Sequence, residues 1–143
     1  MLVPAVRILV VDDLESWRRF LNLFLKEDPA CQIICEASDG LEAIEKSREL
    51  QPDLILLDIG LPKLNGIEVA RQISKIAPSS RILFFSENCC PEVVREALRV
   101  GGRGYVVKSD AAHDLLPAMK MVMQNQRFVS SRFADCKVDE TKL

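Results

Sequence analysis

The run Asp53-Leu-Ile-Leu-Leu-Asp58 constrains the fold more than any other stretch of this 143-residue chain. Four consecutive aliphatic residues lie between Pro52 and the turn-rich Ile59-Gly-Leu-Pro-Lys-Leu-Asn-Gly66, a length that suits a strand. A strand apolar on both faces belongs in a parallel sheet covered by helices on both sides. The interior of such a sheet cannot solvate a carboxylate, so Asp58 must stand at the strand's carboxyl end, the edge along which open α/β sheets collect ligands. Taken alone, Asp58 reads as a solvated acid that ends a strand. Asp12, Asp13, Ser86 and Lys108 change that.

The rest of the chain repeats one pattern. Val6–Val11 is a β-branched run that stops at Asp12-Asp13, and Trp17, Phe20, Leu21 and Phe24 then form one helical stripe. Residues 32–37 form a second strand. Asp39 with Glu42, and later Asn65 with Glu68, have capping-box spacing and open the second and third helices. Arg81–Ser86 is a fourth strand ending in a hydroxyl, and Pro91 suits the first turn of the helix that follows. Residues 104–108 form a fifth strand ending in lysine, and Ser109 or Asp110 can cap the last helix. Five β–α units with short connections predict a five-stranded parallel sheet with helices on both faces. The periodicity fades after about Gln126, so residues 128–143 read as a linker or frayed tail.

Composition narrows the function classes. A hydrophobic content of 48% and a charged fraction of 28% are those of an ordinary globular domain. A net charge of −2 provides no electrostatic reason for nonspecific binding to nucleic acid or to an anionic membrane. No apolar run reaches the length of a membrane span and no signal pattern opens the chain, so a cytoplasmic location is expected. Five cysteines without a framework of spacings suggest free thiols, and a single histidine, His113, argues against structural zinc.

Every residue of chemical interest closes a strand. In a parallel sheet those ends share one edge, which brings Asp12, Asp13, Asp58, Ser86 and Lys108 together. Three clustered carboxylates repel one another, and Mg²⁺ is the hard cation that carboxylate and carbonyl oxygens suit. Asp58 could then act as a nucleophile and form an aspartyl phosphate, with Lys108 neutralising charge and the Ser86 hydroxyl donating to a phosphoryl oxygen. No Gly-rich nucleotide cradle is present, so the phosphoryl donor must be a phosphoprotein or a small acyl phosphate.

Together, Asp12-Asp13, Asp58 with the following Gly-Leu-Pro-Lys-Leu-Asn-Gly, Ser86, and Gly104-Tyr-Val-Val-Lys108 resemble a two-component response-regulator receiver domain. The match spans about residues 5–127, and the last segment resembles the LuxR/NarL-type subgroup. The resemblance implies a flavodoxin-like (CheY-like) α/β fold with strand order 2-1-3-4-5. It implies that Asp58 accepts phosphoryl from a sensor histidine kinase or phosphotransfer protein. Asp13, Asp58 and the Gly60 carbonyl would ligate Mg²⁺ directly, with Asp12 acting through water. Ser86 and Lys108 would contact the phosphoryl group, and Tyr105 would be the aromatic switch that turns inward. The surface of the fourth helix, fifth strand and fifth helix would then change its affinity for partners, a second copy of the chain included, and so control transcription.

Three departures stand out. Glu87 occupies a position where the family usually has a small residue, Ser109 replaces a common proline, and the DNA-binding output domain that the LuxR/NarL-type resemblance implies is not within these 143 residues. The expectation is therefore either a fragment of a longer regulator or a chain that acts alone through protein contacts. Two rival functions remain open: a receiver-like interaction module that no longer accepts phosphate, and an aspartyl-nucleophile phosphatase, for which Asp13-Leu14-Glu15 is a loose match. Cys89 and Cys90 read as free thiols, and His113 as an exposed surface residue.

Overall fold

In the computed structural model, which describes residues 4–136, the strands and helices alternate as the hydrophobic pattern demands. The order is β1 (Val6–Val11), α1 (Glu15–Leu25), β2 (Cys31–Ala37), α2 (Gly40–Leu50), β3 (Leu54–Leu57), α3 (Gly66–Ile76), β4 (Arg81–Ser86), α4 (Pro91–Arg99), β5 (Gly102–Val107), α5 (Ala111–Met123) and β6 (Phe128–Val129). All pairings are parallel, in the order β2-β1-β3-β4-β5-β6.

The central strand β3 is buried on both faces, with every residue at most 1% exposed. Ile55 and Leu57 join Leu9, Val11, Ile82, Phe84 and Tyr105 in a core layer closed by Ala43 of α2, Val69 and Ile73 of α3, and Val94, Ala97 and Leu98 of α4. Leu54 and Leu56 face the other way, with Ile8, Val10, Leu83 and Phe85, under Leu21 and Leu25 of α1 and Leu115, Met119 and Val122 of α5. Each such side chain contributes about 1.5–3 kcal/mol on burial, so a charge anywhere in β3 breaks the sheet from within.

The helix starts obey local chemistry. Asp39 Oδ1 accepts the Glu42 amide (2.8 Å) at the start of α2, and Asn65 Oδ1 accepts the Glu68 amide (3.1 Å) at the start of α3. The expected cap on α5 does not form. Neither Ser109 nor Asp110 caps it; Lys108–Asp110 makes a 3-10 turn instead, and the Asp110 carboxylate turns to Arg132.

The sheet has six strands rather than the expected five. Phe128 and Val129 align with Gly104 and Tyr105 of β5, beyond the point where the apolar periodicity fades. Ser130 and Phe133 are buried (4% and 3% exposed), so the first part of the expected tail is packed against the sheet. A two-residue strand is too short to register as an alternating pattern, which is why the sequence hides it. Residues 137–143 of the expected tail lie outside the described residues.

Candidate functional site

The parallel registers Val11 with Leu57, Leu57 with Phe84, and Ser86 with Val107 bring the ends of β1, β3, β4 and β5 to one edge. The hydrogen-bond ladder continues past the strands: Asp58 N–H donates to the Val11 carbonyl (3.1 Å) and Asp12 N–H to the Ala37 carbonyl (3.0 Å). Asp58 and Asp12 are thereby held side by side. At Gly66, the first residue of α3, a Cβ would collide with the Asp58 carbonyl oxygen, so glycine there lets the helix start against the site.

Asp58 Oδ1 accepts its neighbour Ile59's N–H (2.8 Å), and Asp58 Oδ2 lies 3.3 Å from Lys108 Nζ. Asp12 Oδ1 accepts the Leu14 N–H (3.0 Å), while its Oδ2 lies 2.6 Å from the same ammonium. The Lys108 side chain is 2% exposed, and its Nζ sits over the Trp17 ring, 4.8 Å from the centroid. Burial pushes the Asp12 carboxyl above the ordinary aspartate range, against the pull of Lys108. Asp13 is exposed at the mouth of the site.

Asp13, Leu14, Asp58, Ile59, Gly60, Ser86, Glu87, Asn88 and Lys108 line a cavity of about 480 Å³. All the residues expected at the site from sequence are therefore gathered here, except Asp12, which is buried beneath its wall, and Tyr105. One carboxylate oxygen from each of Asp12, Asp13 and Asp58 lies within 4.8 Å of the others. Asp12 Oδ2 is buried and its one close partner is the Lys108 ammonium, so the cluster's charge is balanced from inside the fold by a single cation. Buried and exposed acids with all-oxygen donors fit a Mg²⁺ ion, which would neutralise the charge of an incoming phosphoryl group.

Ser86 Oγ accepts the Asn88 N–H (3.2 Å). Tyr105 is fully buried and already points inward, its hydroxyl donating to the Asn88 carbonyl (2.7 Å). Burial raises the Tyr105 phenol above its ordinary range, opposed in part by the nearby Ser86 hydroxyl. Sequence reasoning missed three participants. Trp17, read only as part of the α1 stripe, roofs Lys108 and donates from Nε1 to Glu87 Oε2 (3.3 Å). Asn88 links Ser86 to Tyr105; its place two residues after a strand-ending serine was the available signal. Phe133 meets the Tyr105 ring edge-on, with centroids 6.3 Å apart, and nothing local to Phe133 announces this. His113 is exposed, as are Cys89 and Cys90, and Cys31, Cys35, Cys89 and Cys90 are free thiols. No helix among the described residues is long and apolar enough to cross a membrane.

The comparisons agree with this geometry. Residues 8–120 match the response regulator receiver domain. The chain is 30% identical over 124 residues to the transcriptional regulatory protein DegU of Brevibacillus brevis, covering 87% of this chain and 52% of that protein. It is 33% identical over 116 residues to the chemotaxis protein CheY of Thermotoga maritima, covering 81% of this chain and 96% of that one. A two-component response regulator of the LuxR family from Aurantimonas sp. superimposes with a TM-score of 0.88 at 30% identity, covering 95% of this chain and 97% of that one. This chain thus spans about half the length of the DegU regulator. With its acidic edge, its buried lysine and its sheet order in place, the chain belongs to the response-regulator receiver-domain family.

Proposed function

We propose that this chain is a phosphoacceptor switch, with Asp58 taking a phosphoryl group from a histidine kinase or phosphotransfer protein. The observation that carries this is the clustering of three carboxylates with one buried lysine, of which Asp13, Asp58 and Lys108 line an open cavity. An Asp58 carboxylate oxygen attacks phosphorus, the bond from phosphorus to the donor atom breaks, and the donor leaves with the electron pair. Ile59 N–H and Lys108 fix the carboxylate beforehand, so little reorientation is needed. Lys108 and the Ser86 hydroxyl stabilise charge on the transferred oxygens. Asp12, Asp13, Asp58 and the Gly60 carbonyl would hold Mg²⁺, whose role is charge neutralisation.

Residues 5–127 form the receiver unit in this reading. Its output is a change at the face built by α4, β5 and α5, affecting dimerisation or an attached transcription-controlling domain. The chain's role is regulatory, with turnover limited to loss of its own phosphoryl group. One observation favours a phosphate-independent interaction module instead: the Glu87 carboxylate lines the cavity beside Ser86.

The deciding experiment is intact-mass spectrometry after incubation with acetyl phosphate, with and without Mg²⁺, beside Asp58→Asn. One labile adduct that requires Mg²⁺ and is absent from Asp58→Asn is expected. No adduct under any condition would leave the interaction module as the better description, and turnover of many phosphate esters would point to a phosphatase.

A further inference from the structure

The segment after α5 turns back onto the domain. Phe128 and Val129 extend the sheet along β5, and Phe133, 3% exposed, packs edge-on against Tyr105. Phe133 N–H donates to the Ser130 carbonyl (3.0 Å), which closes the turn that delivers its ring. Arg132 grips both carboxylate oxygens of Asp110, Nε to Oδ2 and Nη2 to Oδ1, each at 2.9 Å, two residues beyond Lys108. Gly104 makes room for this arrangement: a Cβ there would lie 3.0 Å from the Phe128 carbonyl oxygen and 3.1 Å from Val122 Cγ2.

Two contact paths therefore join the segment to the candidate phosphorylation site. One runs from the Ser86 hydroxyl to the Asn88 amide, from the Asn88 carbonyl to the Tyr105 hydroxyl, and from the Tyr105 ring to Phe133. The other runs from Lys108 through the 3-10 turn to Asp110 and Arg132.

We propose that the β5 edge with Tyr105 is a docking surface whose occupant is this chain's own segment 128–133, and that phosphorylation of Asp58 loosens it. The inference rests on the phosphoacceptor reading of Asp58. A phosphoryl oxygen draws the Ser86 hydroxyl toward it and away from the Asn88 amide. The Asn88 carbonyl shifts with its loop, the Tyr105 hydroxyl loses its acceptor, and the ring face that Phe133 needs moves. The segment thus guards the face that the receiver uses for output, and its release exposes a strand edge. Because coupling is reciprocal, weakening the segment must loosen the loop at Asn88 as well.

The test is amide hydrogen exchange on the full 143-residue chain. In wild type loaded with acetyl phosphate and Mg²⁺, with the adduct counted by intact mass, residues 128–133 should exchange at least about fivefold faster than in the unloaded protein. In unphosphorylated Phe133→Ala, the amides around Asn88 should exchange faster by a similar factor while those of α2 keep their protection. Arg132→Ala carries the same expectation where Phe133→Ala fails to fold. Unchanged or slower exchange at 128–133 in a sample that carries the adduct would overturn the proposal. So would an unchanged Asn88 loop in variants that keep α2 protected. Absence of any adduct would instead overturn the phosphoacceptor reading, and with it the trigger for release.

Discussion

Lys108→Met in the metal-free protein probes how the acidic edge is neutralised. The ammonium stands 2.6 Å from Asp12 Oδ2 and 3.3 Å from Asp58 Oδ2, and the lysine and Asp12 side chains are each 2% exposed. At an effective dielectric constant of about 20, those separations correspond to gross attractions of roughly 6 and 5 kcal/mol. Methionine keeps most of the stem's packing against Trp17 and Phe85 and avoids desolvating an ammonium, which returns several kcal/mol. What remains is a pair of uncompensated carboxylates, a situation that costs about 3–5 kcal/mol in buried sites. Asp58 is 10% exposed on an open cavity, which points to the lower end, about 3 kcal/mol.

The assay is urea denaturation at pH 7 in EDTA, read as a fall in midpoint at unchanged m-value. Saturating Mg²⁺ should recover a large part of the loss, because the three clustered acids are the ligand set proposed for it and the competing ammonium is gone. A loss below about 1 kcal/mol, or an equal loss with and without Mg²⁺, would refute the assignment of Lys108 as the resident counter-charge.

Three further outcomes follow from the same geometry. Trp17 is the chain's single tryptophan and sits over Lys108, so Mg²⁺ should change its fluorescence as the ammonium yields the acids; a flat titration at saturating Mg²⁺ would refute the contact. Gly104→Ala should cost about 1–3 kcal/mol in a denaturant melt, by crowding Leu83, Val122 and the Phe128 carbonyl, and should raise proteolysis after α5; wild-type stability would refute the close approach of β6. The Asp12 carboxyl lies above the ordinary value of 3.8 in the folded state, so folding takes up a proton there. Its contribution to stability therefore falls as pH rises from 3.8 through the folded value and is flat above it. Asp12→Asn should remove that decline in EDTA, and an identical pH profile in the variant would refute it.

Much of the site was legible because each residue sits next to an unambiguous strand. Asp12, Asp58, Ser86 and Lys108 each follow or end an apolar run, and a parallel sheet places all such ends on one edge whatever their separation in sequence. The helix starts at Asp39 and Asn65 were legible for a similar reason, since capping is a contact between near neighbours. Asp110 shows where that logic fails. It has the right type and place for a cap, yet Arg132, 22 residues away, competes for its carboxylate and wins. The resemblance implied that Tyr105 turns inward on activation, but its burial beneath Phe133 without any phosphoryl group was not foreseeable.

The sequence by itself determined the layered α/β architecture, the edge that carries the chemistry and the acids that compose it. Those properties follow from periodicity and from the cost of burying a charge within a sheet. Only the tertiary structure decided that Trp17 roofs Lys108, that Asn88 bridges Ser86 to Tyr105, and that residues 128–133 close over the β5 edge. These are long-range contacts of single side chains and a two-residue strand, and no local pattern encodes them. The last of them forms because β5 would otherwise be one of the sheet's two open edges, and it presents beside that edge an apolar ring face that the returning chain can cover.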